Sequence, residues 1–376
     1  MSDEVAAAKE EPTAGVAASG AGKARRTLTL GDYVGGRDNN FNLIRFLAAT
    51  SVLLSHSFPL STGDPTTEPL RSWLGLSAGE IAVDVFFLTS GFLVAGSLLT
   101  RHSVSGFAIA RALRIYPAMV VSVLLTVLVV GLWFSSSTPS AFVASPETWR
   151  YVAKNVTLVT GVAYKLPGAF ELTPLRLAVN GSLWTLPYEL AMYGLLAATW
   201  LAMAALRLRP EKRFGGGVAL ICLVAVSIEI LRLPTHRFVP GGWHLGAMFF
   251  AGSSLYAFRK HVSLDMRLFF VFLILLGLSS ADKTAFALVY LVTLAYLVLY
   301  LAYVPGGVLR RFNRLGDYSY GIYIYAFPVQ QMLAASLPGI RPLQMLIASF
   351  VITLALAIAS WHLFEKRALA LKKVIA

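Results

Sequence analysis

Apolar residues come in long runs along this chain, and short polar stretches between them carry most of the charge. The first run, FNLIRFLAATSVLLSHSFPL from Phe41 to Leu60, matches the length of about 20 residues that a helix needs to cross a bilayer. Nine further runs lie near 81–99, 112–134, 184–205, 217–232, 242–258, 266–280, 284–304, 318–337 and 343–364. The fifth and seventh of the ten are the shortest. The pattern predicts an all-α fold, a polytopic membrane helix bundle of about ten transmembrane helices. The stretch 135–183 is too interrupted to be a span: Arg150, Lys154 and Asn155 break its apolar patch, which predicts a surface element.

Within the first run sit two ionisable residues, Arg45 and His56, and such groups inside a span are costly enough to point to function. Eleven positions separate them, which on a helix puts them on one face within roughly 20° and about 16 Å apart along the axis. They cannot touch, so a joint role links chemistry near opposite sides of the membrane.

Composition agrees with the pattern. With 57% hydrophobic residues, 14% charged and a mean hydropathy of +0.68, the chain is too apolar for a soluble globular protein. The net charge of +13 does not indicate nucleic acid, because the bases lie in short clusters between apolar runs. Alternate loops on one side carry more than twice the Lys and Arg of the other. That side is expected to be cytoplasmic, with both termini on it. Residues 1–40 lack an apolar h-region and read as a disordered cytoplasmic tail ahead of a transmembrane domain at 41–370. The single cysteine, Cys222, excludes an intramolecular disulfide and a cysteine-rich metal site.

This topology sets the depth of the other polar residues. Asp84 in the second run and Glu189 in the fourth fall near the same outer level as His56. That is the arrangement expected for a histidine general base oriented by a carboxylate, and it leaves open which carboxylate serves. At the inner end, Arg111 and Arg114 are three residues apart on one helical face. Such a pair suits the phosphates of an acyl carrier, and equally suits a topology signal or a lipid headgroup anchor. Arg45 completes a basic inner vestibule. His244, beside Trp243, is a secondary candidate for binding an acceptor. The tyrosines of DYSYGIYIY read as packing and interface residues.

Six stretches in order, FNLIRFLAATSVLLSHSFPL, VDVFFLTSGFLVAGSL, ARALRIYPAMVV, NGSLWTLPYELAMY, LGDYSYGIYIYAFPV and WHLFEKRAL, resemble the integral-membrane acyltransferase-3 family. The resemblance implies an enzyme of the bacterial cytoplasmic (inner) membrane that moves an acyl group, often acetyl, from cytoplasmic acyl-CoA to an outer glycan or lipid-linked saccharide. It implies that His56 is the essential histidine, Arg45 its arginine partner, and Arg111 and Arg114 the inner pair that holds the donor. Asp84 and Glu189 match acidic positions of the next motifs. The expected partners are membrane lipid and a saccharide acceptor, with no nucleic acid and no metal. One departure is Ala326, which stands before the Phe-Pro of YIYAFPV where many relatives carry a histidine. The competing reading is a transporter or flippase for a glycan or lipid-linked precursor, which also uses buried ionisable groups.

Overall fold

The computed structural model describes residues 28–36, 38–176, 178–233 and 241–375. Helices form over all ten apolar runs: α1 Phe41–Thr62, α2 Ala78–Arg101, α3 Val104–Trp133, α5 Leu186–Ala205, α6 Pro210–Arg232, α7 Gly242–Ala257, α8 Met266–Ser279, α9 Lys283–Tyr303, α10 Ser319–Ser336 and α11 Pro342–Ser360. Between α3 and α5 lies a shorter helix, α4 Pro146–Thr157, and α11 continues through a π-helical turn at Trp361–Glu365 into α12, Lys366–Ile375. No strand occurs among the described residues. Among the described residues, seven helical segments are long and apolar enough to cross a membrane: Phe41–Thr62, Ala78–Arg101, Val104–Trp133, Gly181–Ala205, Arg213–Arg232, Lys283–Tyr303 and Pro342–Lys372. Three of the ten runs fall outside that set, α7 and α8 because they have only 16 and 14 residues.

Local chemistry fixes the helix ends. α1 stops at Gly63, whose φ of 78° is left-handed and whose N–H bonds back to Pro59 O at 2.9 Å. α2 starts in a capping box: Ser77 Oγ accepts from Glu80 N at 3.1 Å, while the Glu80 carboxylate accepts from Ser77 N at 2.7 Å. The interrupted patch near 150 forms α4, a short helix packed on α3.

α1, α2, α5 and α10 surround the interior, α7 packs on α2, and α11 covers α1 and α10. At the periphery, α8 has no buried residue, and Leu278, Leu231 and Val351 are exposed. In water such surfaces are aggregation liabilities, whereas acyl chains cover them without cost.

Residues 1–27 of the expected tail lie outside the described residues. The packed chain begins well before position 41. Leu30 is fully buried, its N–H bonding Val262 O at 2.7 Å, and the Asn40 side chain donates to Leu301 O and Pro305 O.

Candidate active site

His56 lies in the C-terminal half of α1, where its Nδ1 is buried without a hydrogen-bond partner and its ring meets Phe327 edge-on at 5.2 Å. It lines a cavity of about 150 Å³ with Ser55, Glu68, Arg71, Ser77, Glu80, Val83, Trp184 and Tyr323. The polar wall comes from the segment between α1 and α2. Ser55 Oγ donates to Glu68 at 2.6 Å, and Arg71 bridges Glu68 at 3.5 Å and Glu80 at 3.0 Å. Arg71 Nε is buried without a partner. The carboxylates facing the imidazole across this cavity are therefore Glu68 and Glu80. Neither Asp84 nor Glu189 belongs to its wall.

A second, narrow recess of about 40 Å³ lies toward the Arg45 end, lined by Arg45, Val83, Phe86, Thr185, Glu189, Ser319, Tyr320 and Tyr323. Glu189 accepts from the Tyr193 hydroxyl and, at 3.2 Å, from Ser90 Oγ. Around the recess the three predicted arginines gather in different states. Arg45 and Arg114 share the Asp317 carboxylate, Arg45 at 3.3 Å, and Arg114 also reaches Glu365 at 3.5 Å. Burial alone would push the Asp317 carboxyl up, but the Arg114 and Arg45 guanidiniums and the Ser319 hydroxyl outweigh it and hold it down at about 2. The clamp thus stays ionised throughout the neutral range. Arg111 has no carboxylate partner among the described residues: its guanidinium lies over the Tyr193 ring at 6.0 Å, and its Nε is buried without a partner.

Asp84 faces a third environment. Its two carboxylate oxygens lie 2.8 and 2.9 Å from His244 Nε2, and it accepts from the Tyr290 hydroxyl at 2.7 Å. Asp84 and His244 are both fully buried. The reason is helix packing. A Cβ on Gly91 would sit 1.9 Å from Phe249 O, and one on Gly252 2.1 Å from Leu88 O, so α2 and α7 meet backbone to backbone. This close crossing turns the Asp84 face of α2 toward α7 and leaves Val83 to face the cavities. The expectation that Asp84 or Glu189 orients His56 therefore meets a different geometry, with each carboxylate bonded elsewhere. His244, expected at an acceptor surface, is the buried partner of Asp84.

A family model described as an acyltransferase domain, that of the acyltransferase-3 family, matches residues 38–362. The chain belongs to the acyltransferase-3 family. It is therefore an acyltransferase. It is 32% identical over 347 residues to the O-acetyl transferase of Shigella phage Sf6, covering 88% of this chain and 96% of that protein. It is 28% identical over 374 residues to Nodulation protein 10 of Rhizobium leguminosarum bv. viciae, covering 91% and 96% respectively. No solved structure matches.

For this acyltransferase, the sequence singled out three arginines and a histidine that lie in one interior but did not show the groups that pair with them. Asp317 stands inside LGDYSYG and Glu365 inside WHLFEKRAL, two of the motifs that carried the family resemblance. An acid in a loop before an aromatic-rich helix was the available signal. Glu68 has no such marker, because its position over His56 depends on how the loop after Gly63 folds back. Ala326 is fully buried and packs among Ala49, Leu53 and Ala357, so this position is part of an apolar contact.

Proposed function

We propose that this protein is a membrane O-acyltransferase that moves an acyl group, by default acetyl, from cytoplasmic acyl-CoA to a hydroxyl of an extracytoplasmic glycan or lipid-linked saccharide. The setting is a bacterial cytoplasmic membrane, crossed by all ten helices with both termini inside, as the excess of Lys and Arg on alternate loops supports. The name of the phage relative supports the O-acetyl assignment. The observation that carries the reading is the pair of chambers along α1. One holds His56 and the other Arg45, and they share Val83 and Tyr323 as a common wall.

The donor's phosphates call for basic donors that lack internal partners, and the orphaned Nε of Arg111 fits that requirement. Arg111, backed by the field of Arg45 and Arg114, holds the donor at the inner mouth, and the donor when bound supplies an activated thioester. His56 acts as general base: it takes the proton of the acceptor hydroxyl and returns it to the departing sulfur. Glu68, across the cavity and anchored by Ser55 and Arg71, favours the protonated imidazole formed in between. Trp184 and the orphaned Nε of Arg71 suit a saccharide, one by stacking and the other by donating. Asp84 and Glu189 support the site from behind, Asp84 by tying α2 to α7 and α9, Glu189 by holding Ser90 and Tyr193 beneath Arg111.

The test is transfer of radiolabelled acetyl from acetyl-CoA to the glycan of the native host in membrane vesicles. His56→Ala is expected to abolish transfer while the protein still accumulates in the membrane. Full transfer by that variant would sink the assignment of His56 as base.

A further inference from the structure

Tyr323 of α10 and Val83 of α2 are the two residues common to both chambers, and Tyr323 is the polar one. A group passing from the Arg45 recess to the His56 cavity passes this side chain. The ring is held edge-on to Phe86, with centroids 5.7 Å apart, and the hydroxyl lies 2.7 Å from Thr185 Oγ1. Both side chains are almost wholly buried, at 7% and 4% exposure. Two hydroxyls carry two protons, and the bond between them uses one. No other protein acceptor lies within bonding distance of either hydroxyl among the described residues. One donor hydrogen is therefore left over at the junction. Tyr320, one turn earlier, differs: its hydroxyl is already committed to Ile115 O at 2.9 Å.

We infer that Tyr323 donates this surplus hydrogen bond to the thioester carbonyl oxygen at the junction, with Thr185 as the positioning residue that donates to the phenol oxygen. The inference rests on the acyl-transfer reading above. As His56 takes the acceptor proton, the acceptor oxygen bonds to the carbonyl carbon and the carbonyl electron pair moves onto its oxygen. Tyr323 holds the negative charge there. The pair returns as the carbon–sulfur bond breaks, and the thiolate takes the proton from His56. An ester and a free thiol result, with no oxidant or reductant required. A buried, pre-positioned donor of this kind acts mainly on the transition state, because charge develops on the oxygen only during the reaction.

The experiment uses full-length protein in membrane vesicles, radiolabelled acetyl-CoA and the glycan of the native host. Tyr323→Phe is expected to lower kcat about 100-fold, the typical loss for one oxyanion donor, with KM for acetyl-CoA unchanged. Thr185→Val should lower kcat by less, and Thr185→Ser should restore it. A general packing defect would not produce this split between kcat and KM or the rescue by serine. Wild-type kcat in Tyr323→Phe overturns the inference and leaves the acyl-transfer reading standing, whereas absence of transfer by the wild-type protein overturns that reading. If Tyr323→Phe fails to accumulate, the Thr185 pair decides: equal rates for valine, serine and wild type overturn the inference.

Discussion

Arg111 and Arg114 stand one helical turn apart and have opposite surroundings. Arg114 is paired with Asp317 and Glu365, and removing it leaves the buried Glu365 without its cation and Asp317 with Arg45 alone. Losing one partner of a buried ion pair costs roughly 3–5 kcal/mol. Arg114→Ala should therefore lower the unfolding midpoint in detergent sharply. Arg111 has no such debt, so Arg111→Ala should leave the midpoint near wild type and raise KM for acetyl-CoA about tenfold. That magnitude follows from about 1.5 kcal/mol for a hydrogen bond to a charged group. An unchanged KM in Arg111→Ala would assign this arginine to topology or lipid contact. At this scale the sequence showed the cations but not their partners. Asp317 lies 272 positions from Arg45 and 203 from Arg114, and spacing along a helix says nothing about pairs that far apart.

The helices themselves were legible, because a run of apolar residues long enough to span has few alternatives to a helix in lipid. All ten expected segments are helical. What the runs do not encode is rotation. Successive helical residues differ by 100°, so whether Val83 or Asp84 faces the passage is decided by the neighbouring helix. Here the decision is made at Gly91 and Gly252, where α2 and α7 touch through their backbones. Gly91→Ala should force these helices apart and cost about 1–3 kcal/mol, as overpacking does. Gly194→Ala on α5, where an added Cβ meets nothing within 4 Å, should be neutral or slightly stabilising. Thermal unfolding of the two variants in detergent measures the contrast. Equal midpoints would remove the close crossing as the reason Asp84 turns to His244.

At the level of the whole molecule, the eleven-residue spacing already set Arg45 and His56 apart along one helix face, and the proposed function assigns the donor to one end and the acceptor to the other. The shared wall at Val83 and Tyr323 was not readable, because it joins residues from helices far apart in sequence. The proposed division requires one orientation in the membrane: the His56 cavity opens outward, and the Asp317 clamp lies inside. Thiol labelling tests this directly, since Cys222 is the only cysteine and can be replaced by serine. Thr66, in the segment roofing the His56 cavity, and Val308, in the turn between α9 and α10, are both exposed. In the Cys222→Ser background, Thr66→Cys should react with a membrane-impermeant maleimide in intact spheroplasts. Val308→Cys should react only after the membrane is opened. The reverse pattern would put His56 on the same side as coenzyme A, and transfer to an extracytoplasmic glycan would then be ruled out whatever the chemistry of the two chambers.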